Sequence, residues 1–255
     1  MSLSMIDGKI LSNEAISSDC YSMMISVSDI ASLAVPGQFV NIYVNNESKL
    51  LPRPISICEV DAYKGTIRLV YRAVGAGTKE LSSYLEGTVI KLLGPLGNGY
   101  ELLNGKKAML IGGGIGIPPL LELAKRLDAD KSVVLGFRDE IFLADEFKDY
   151  ADVYIASEDG KTGVKGNVID AIREYKLDAE VIYACGPTPM LRAIKEYGLS
   201  NNMIVQLSLE ERMACGIGAC LACVCKTANV DDHSFVNNSR VCKDGPVFRA
   251  EEVVL

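Results

Sequence analysis

Four cysteines crowd into ACGIGACLACVCKT (residues 214–227): Cys215, Cys220, Cys223 and Cys225. A fifth, Cys242, follows in RVCKDGPVF. Taken with Cys242, the first three read C-x4-C-x2-C-x18-C. That is the spacing of a plant-type [2Fe–2S] centre, with three thiolates on one loop and a fourth from downstream. Gly216 and Gly218 suit such a loop, which must turn tightly and offer backbone N–H groups to sulfur. Two other readings compete. A structural zinc site takes four cysteines, but zinc ribbons bring them as two separate C-x-x-C knuckles. Ordinary buried thiols do not account for this density. Cys225 would point to the same side as Cys223 in an extended segment, yet the loop is already crowded, so Cys225 is expected to be the spare sulfur. Cys20 and Cys58 lie elsewhere and are expected to be core thiols.

Two further motifs could hold nucleotides. IGGGIGIPPLLEL (residues 111–123) places Gly112, Gly114 and Gly116 between a strand and a helix, where a pyrophosphate can meet the helix N-terminus. ACGPTPML brings Cys185, Gly186 and Pro187 to the end of a later strand, where ligands bind in parallel sheets. Asp139 and Glu140 in GFRDE could take ribose hydroxyls and disfavour a 2′-phosphate; a solvated surface pair is the competing reading. LPRPISI (residues 51–57) fixes Arg53 between prolines with Ser56 three residues on, a rigid polar ledge or a simple edge-strand entry. YRAVGAGTKEL then sets a glycine turn at the start of a helix.

The elements that must position these motifs fall into three regions. Residues 1–100 are β-rich: GQFVNIYVN, TIRLVYRAV and TVIKLLGPLGNG carry alternation or β-branched residues, and their Gly/Pro turns suggest an antiparallel β-barrel. One helix, GTKELSSYL, interrupts them, with Thr78 expected as its N-cap. Residues 101–207 alternate strand and helix, the pattern of a Rossmann-like parallel sheet; the prolines of IPPLLELAKRL open one helix and Gly198 is expected to end another. Residues 208–255 form a small third domain. SLEE predicts a capping box with Ser208 at N-cap and Glu211 at N3. This region is too small to fold on burial alone, and a metal centre would supply the missing cross-link.

Composition narrows the function. The 255 residues are 49% apolar, enough for more than one core, and the net charge of −7 with no basic cluster argues against nucleic acid. The longest apolar stretch is broken by Gly and Pro, so no membrane span is expected. The N-terminus has no basic and apolar leader, and eight cysteines without one point to a cytoplasmic metal or redox protein.

The R-P-x-S strand, the glycine turn, the C-G-P motif and their order resemble the ferredoxin–NADP reductase superfamily. The C-terminal cysteine pattern, with LEERMACGIGAC and CKDGPVF, resembles more narrowly the electron-transfer subunits of class B dihydroorotate dehydrogenase, over essentially the whole chain. The resemblance implies that Arg53, Pro54, Ile55 and Ser56 bind FAD, with Arg53 near its phosphates and Ser56 near flavin N5. It implies that Val70, Tyr71 and Arg72 flank the flavin, and that Gly77 and Thr78 take its pyrophosphate. Gly112, Gly114, Gly116 and Cys185–Pro187 would shape the NAD site, and Cys215, Cys220, Cys223 and Cys242 would hold [2Fe–2S]. The implied partner is an FMN-containing catalytic subunit that turns dihydroorotate into orotate, in a heterotetramer of two such pairs.

The chemistry points the same way. NADH gives up two electrons as hydride, an iron–sulfur centre takes one at a time, and a flavin between them does both. Hydride transfer needs no further base. The one histidine, His233, falls in a polar acidic loop, and no nucleophile–base pair is evident, so the organic substrate is expected to react on another chain. The alternatives are a reductase subunit of a hydrogenase or ferredoxin transhydrogenase, a redox-sensing module and a zinc-stabilised interaction protein.

Overall fold

The computed structural model describes residues 4–46, 48–230 and 235–255. His233 lies outside them. The chain opens with strands β1 (Ile6–Ala15) and β2 (Cys20–Ser26), a short helix α1 (Ser28–Ala31), then β3 (Phe39–Tyr43), β4 (Arg53–Asp61), β5 (Thr66–Arg72), helix α2 (Ala76–Leu81) and β6 (Val89–Leu96). The six strands close an antiparallel barrel in the order β1-β2-β5-β4-β3-β6. Alternation fills it: Ile67, Leu69 and Tyr71 of β5 join Ile10, Ile25, Val40, Ile42 and Leu92 in one buried cluster, while Val70 faces the second domain. Strand β1 carried little sequence signal because only Gly8 and Ile10 of its ten residues are buried.

The second half runs β7 (Lys107–Gly113), α3 (Pro119–Arg126), β8 (Asp130–Phe137), α4 (Ala144–Phe147), β9 (Asp152–Ser157), β10 (Val164–Lys165), α5 (Val168–Glu174), β11 (Val181–Cys185), α6 (Thr188–Ser200) and β12 (Ile204–Ser208). The sheet order is β10-β9-β8-β7-β11-β12, all parallel, so the direction of winding reverses between β7 and β11. A charged seam ties barrel to sheet. Glu122 of α3, almost fully buried, accepts the Val60 N–H at 2.9 Å and pairs with Arg126. Arg68 of β5 bridges Glu59 and Glu146, and Lys125 adds a 3.0 Å contact to Glu59.

The last segment adds β13 (Val224–Lys226), β14 (Asn238–Arg240) and β15 (Val247–Arg249). β13 and β14 form a small hairpin, whereas β15 joins the large sheet antiparallel to β12. The Asn98 side chain, just beyond the barrel, donates to the Val247 carbonyl at 2.9 Å and accepts from its N–H at 3.0 Å. The segment therefore borrows backbone pairing from both larger units instead of building a core alone.

Three local expectations are corrected. Gly75, not Thr78, caps α2; Thr78 stands at N3, where its hydroxyl accepts the Gly75 N–H at 3.1 Å. Gly198 lies inside the last turn of α6, because a methyl there would meet Val205 Cγ2 at 2.3 Å. No helix follows Ser208: it ends β12 between Cys185 and Val247, and Leu209 N–H is already taken by the Pro246 carbonyl at 2.9 Å. Sheet pairing outcompetes the capping box.

Candidate functional site

The registered pairing of β4 with β5 runs from Asp61–Thr66 to Ile57–Leu69 and stops. Beyond it the two strands part, Arg53–Ser56 staying with β3 and Val70–Arg72 with β2. Gly77 arrives from α2 and lies against the Arg53 guanidinium: a Cβ built at Gly77 would fall 1.8 Å from Arg53 Nε. Residues 24 positions apart thus meet at one spot, which a side chain at 77 would close. Tyr71 turns its ring into the barrel, stacks on Tyr21 at 5.9 Å and donates its hydroxyl to Asn13 Oδ1 at 3.0 Å. Only its main chain can face the gap.

A cleft of about 1180 Å³ opens between barrel and sheet, at the end of the strands where the winding reverses. Its sheet side includes Gly113, Gly114, Asp139 and Pro187; its barrel side includes Asp19 and Arg72. Glu140 accepts the Ser18 N–H at 2.7 Å across the two units. Gly112 and Gly116 are buried behind this surface, with Gly116 packed on the Cys185 carbonyl, where a Cβ would come within 2.4 Å. The glycine turn and the C-G-P segment, 70 residues apart, are thereby pressed together. The sequence placed a helix N-terminus toward the ligand, but residues 114–116 form a 3-10 turn and α3 begins at prolines that carry no N–H.

The cysteine loop lies beside the barrel. Gly216 and Gly218 adopt φ of +71° and +82°, turning the chain so that its N–H groups face sulfur. Ala219 and Cys220 N–H point at Cys215 Sγ at 3.3 and 3.4 Å, and Gly218 N–H reaches Cys242 Sγ at 3.1 Å. Cys242 N–H in turn meets Cys223 Sγ at 3.4 Å. Burial pushes the Cys215 thiol up, but the N–H groups of Ile217, Cys220 and Ala219 outweigh it and bring the thiol down to about 6. Burial pushes Cys242 up to about 12, reinforced by Cys223. Cysteine sulfurs met by backbone donors on a loop with two glycine-made turns fit an iron–sulfur centre. Cys225 sits in β13 opposite Ser239, half-buried against the core, and burial raises its thiol to about 11.

Sequence reasoning missed the brace behind this loop. Arg240 forms a two-pronged pair with Asp244 at 2.8 and 2.9 Å and donates to the Gly218 carbonyl at 3.2 Å. The signal was the opposite charges bracketing Cys242 in RVCKD. Cys20 and Cys58 are buried, as core thiols would be.

A closed barrel with a split strand pair, a parallel sheet with a cleft at its reversal point and a loop of thiolates define a nucleotide-linked flavin reductase of the ferredoxin-reductase kind, extended by an iron–sulfur domain. Residues 7–100 match the oxidoreductase FAD-binding domain family, and residues 210–254 match the iron–sulfur cluster binding domain of dihydroorotate dehydrogenase B. The chain is 47% identical over 255 residues to the dihydroorotate dehydrogenase B (NAD(+)) electron transfer subunit of Bacillus velezensis, covering 96% of each chain. It is 43% identical over 247 residues to that of Caldanaerobacter subterraneus, covering 96% of this chain and 97% of the relative. The chain belongs to the family of electron-transfer subunits of dihydroorotate dehydrogenase B. Among solved structures, a chain of the NADH-dependent reduced ferredoxin-NADP oxidoreductase superposes with a TM-score of 0.87 at 30% identity, covering 97% of this chain and 89% of that one. The ferredoxin reductase of carbazole 1,9a-dioxygenase shares the fold, with a TM-score of 0.68 at 22% identity over 80% of this chain and 67% of that one. Among the described residues, no helix is long and apolar enough to cross a membrane.

Proposed function

We propose that this chain passes electrons from a separate dihydroorotate-oxidising subunit to NAD⁺ in pyrimidine biosynthesis, and that it works in the cytoplasm. Its partner is an FMN-containing catalytic subunit, with two of each chain in a heterotetramer. When bound, FAD and the [2Fe–2S] centre supply the conversion between one-electron and two-electron transfer that nicotinamide alone cannot make. Arg53–Ser56 hold the flavin along the β4 side of the gap. Arg53 meets its phosphates beside Gly77 and Thr78, and Val70–Arg72 border it from β5. The cleft edged by Gly113, Gly114 and Pro187 takes the dinucleotide, with Gly112, Gly116, Cys185 and Gly186 shaping it from behind. Cys215, Cys220, Cys223 and Cys242 hold the cluster, and Arg240 keeps their loop in place. The domains divide as 1–100 for FAD, 101–207 for NAD and 208–255 for the cluster.

One observation carries this reading: the thiolate loop and the nucleotide cleft both adjoin the barrel whose β4–β5 gap would hold the flavin. The test is co-purification with native partners, then cofactor and metal analysis. FAD, two irons and acid-labile sulfide are expected per chain, with orotate formed only in the presence of the second subunit. Stoichiometric zinc without sulfide, or orotate made by this chain alone, would defeat the proposal. The likeness to the ferredoxin-linked structure favours a second reading, a reductase subunit exchanging electrons with ferredoxin. Reduction of ferredoxin by NADH in the absence of any dihydroorotate-oxidising partner would select it.

A further inference from the structure

Strand β3 and its next residue read FVNIYV, one polar residue among apolar ones. That residue, Asn41, is fully buried. It stands in register with Pro54 of β4 on one side and Leu93 of β6 on the other. A buried amide costs stability unless it is hydrogen-bonded, so a core strand carries one for a reason. Asn41 Nδ2 donates to the Cys215 carbonyl at 3.1 Å, across 174 residues of sequence. Among the described residues this is the only hydrogen bond between the barrel and the cysteine loop 214–223.

The next residue of the loop makes the contact close. Gly216 packs on the same amide, so that a Cβ there would fall 2.2 Å from Asn41 Nδ2. The amide cannot be turned over, because its oxygen would then oppose the Cys215 carbonyl oxygen. As it stands, Asn41 Oδ1 is buried without a hydrogen-bond partner among the described residues. The strand therefore accepts an orphaned acceptor in order to keep the donor on the loop. Pro54, beside Asn41, is part of the ledge assigned to the flavin. The amide thus ties β3, the strand paired with the flavin ledge of β4, to a cluster-ligand residue.

We propose that Asn41 is a positioning residue that fixes the Cys215 end of the cluster loop against β3, next to the flavin ledge on β4. The inference rests on the cofactor assignment proposed above. Asn41 does not line the dinucleotide cleft, so its loss should act on the flavin–cluster step and spare the nicotinamide–flavin step.

The test uses the complete complex with its catalytic subunit, mixed rapidly with NADH. Flavin bleaching and the reduced-cluster EPR signal are followed separately. Asn41→Ala is expected to keep wild-type FAD, iron and sulfide and a wild-type bleaching rate, while cluster reduction slows at least severalfold and the EPR line shape changes. Gly216→Ala crowds the same contact from the loop side and should do likewise. The double variant should be milder than the product of the two, since removing the amide makes room for the methyl. Asn41→Leu keeps the approximate shape without the donor, so it should also slow cluster reduction. Wild-type rate and line shape in Asn41→Ala, multiplicative single effects, or an unchanged rate in Asn41→Leu would overturn the proposal. Loss of the cluster from both Asn41 variants with FAD retained would also overturn it, by assigning the contact to building the loop. A wild-type complex lacking FAD or sulfide would defeat the cofactor assignment instead, a result separate from all of these.

Discussion

Gly77→Ala separates binding from stability at the flavin gap. Gly77 is the second residue of α2, and its φ is not positive, so alanine fits the backbone. Replacing glycine by alanine in a helix is worth up to about 1 kcal/mol. The added methyl, however, would lie 1.8 Å from Arg53 Nε, 2.2 Å from Cζ and 2.3 Å from Nη2. A guanidinium is the end of a flexible side chain, so it swings away at little cost to the fold. What is lost, on the proposed assignment of Arg53 to the FAD phosphates, is its placement. A hydrogen bond to a charged group is worth about 1.5–3 kcal/mol. At about 1.4 kcal/mol per tenfold, FAD affinity should fall by about ten- to a hundredfold. The assay strips the flavin, titrates FAD back while following its fluorescence, and records thermal unfolding of the apo-protein alongside. Arg53→Ala should weaken FAD comparably, and the double variant should be no worse than Arg53→Ala, because only one guanidinium can be lost. Wild-type FAD affinity in Gly77→Ala, or an apo-protein clearly less stable than wild type, would refute the reasoning.

Three other outcomes follow from the same contacts. Cys225→Ser should leave a normal reduced-cluster EPR signal, whereas Cys242→Ser should damage or abolish the cluster while NADH oxidation by dyes survives; the opposite pattern would reassign the fourth ligand. Glu122→Ala strands the Val60 N–H and Arg126 and should cost about 3 kcal/mol in urea unfolding, the low end for a buried pair because Arg126 is partly exposed; no loss would mean that the seam does not hold barrel to sheet. Burial raises the Glu59 carboxyl, but Arg68 and Lys125 outweigh it and hold it below the usual carboxylate range. Its contribution is therefore full above the ordinary carboxylate pKa and is lost as pH falls from there through the depressed folded value. Glu59→Gln should flatten that acid limb in a series of urea curves, and an unchanged slope would count against the seam.

Residue spacing along the chain was enough to point to the chemistry. Three cysteines on a glycine-turned loop with a fourth 19 residues on, a strand running into glycines and an alternation of strands with helices are local patterns, written in neighbouring residues. The three-region order was legible for the same reason. Local signals failed where a distant strand competed for the same backbone: Ser208 looks like a helix cap only until β11 and β15 flank it. β1 alternates over Ile6–Leu11, but a glycine at one inward position and a leucine at an outward one blur the apolar pattern. Only the tertiary structure decided which motifs meet. It parts β4 from β5, sets Gly77 on Arg53, presses Gly116 against Cys185 and brings Asn41 to Cys215 across 174 residues. Those contacts are fixed by barrel closure and by the reversal of winding in the sheet, and neither leaves a mark on the residues immediately beside them.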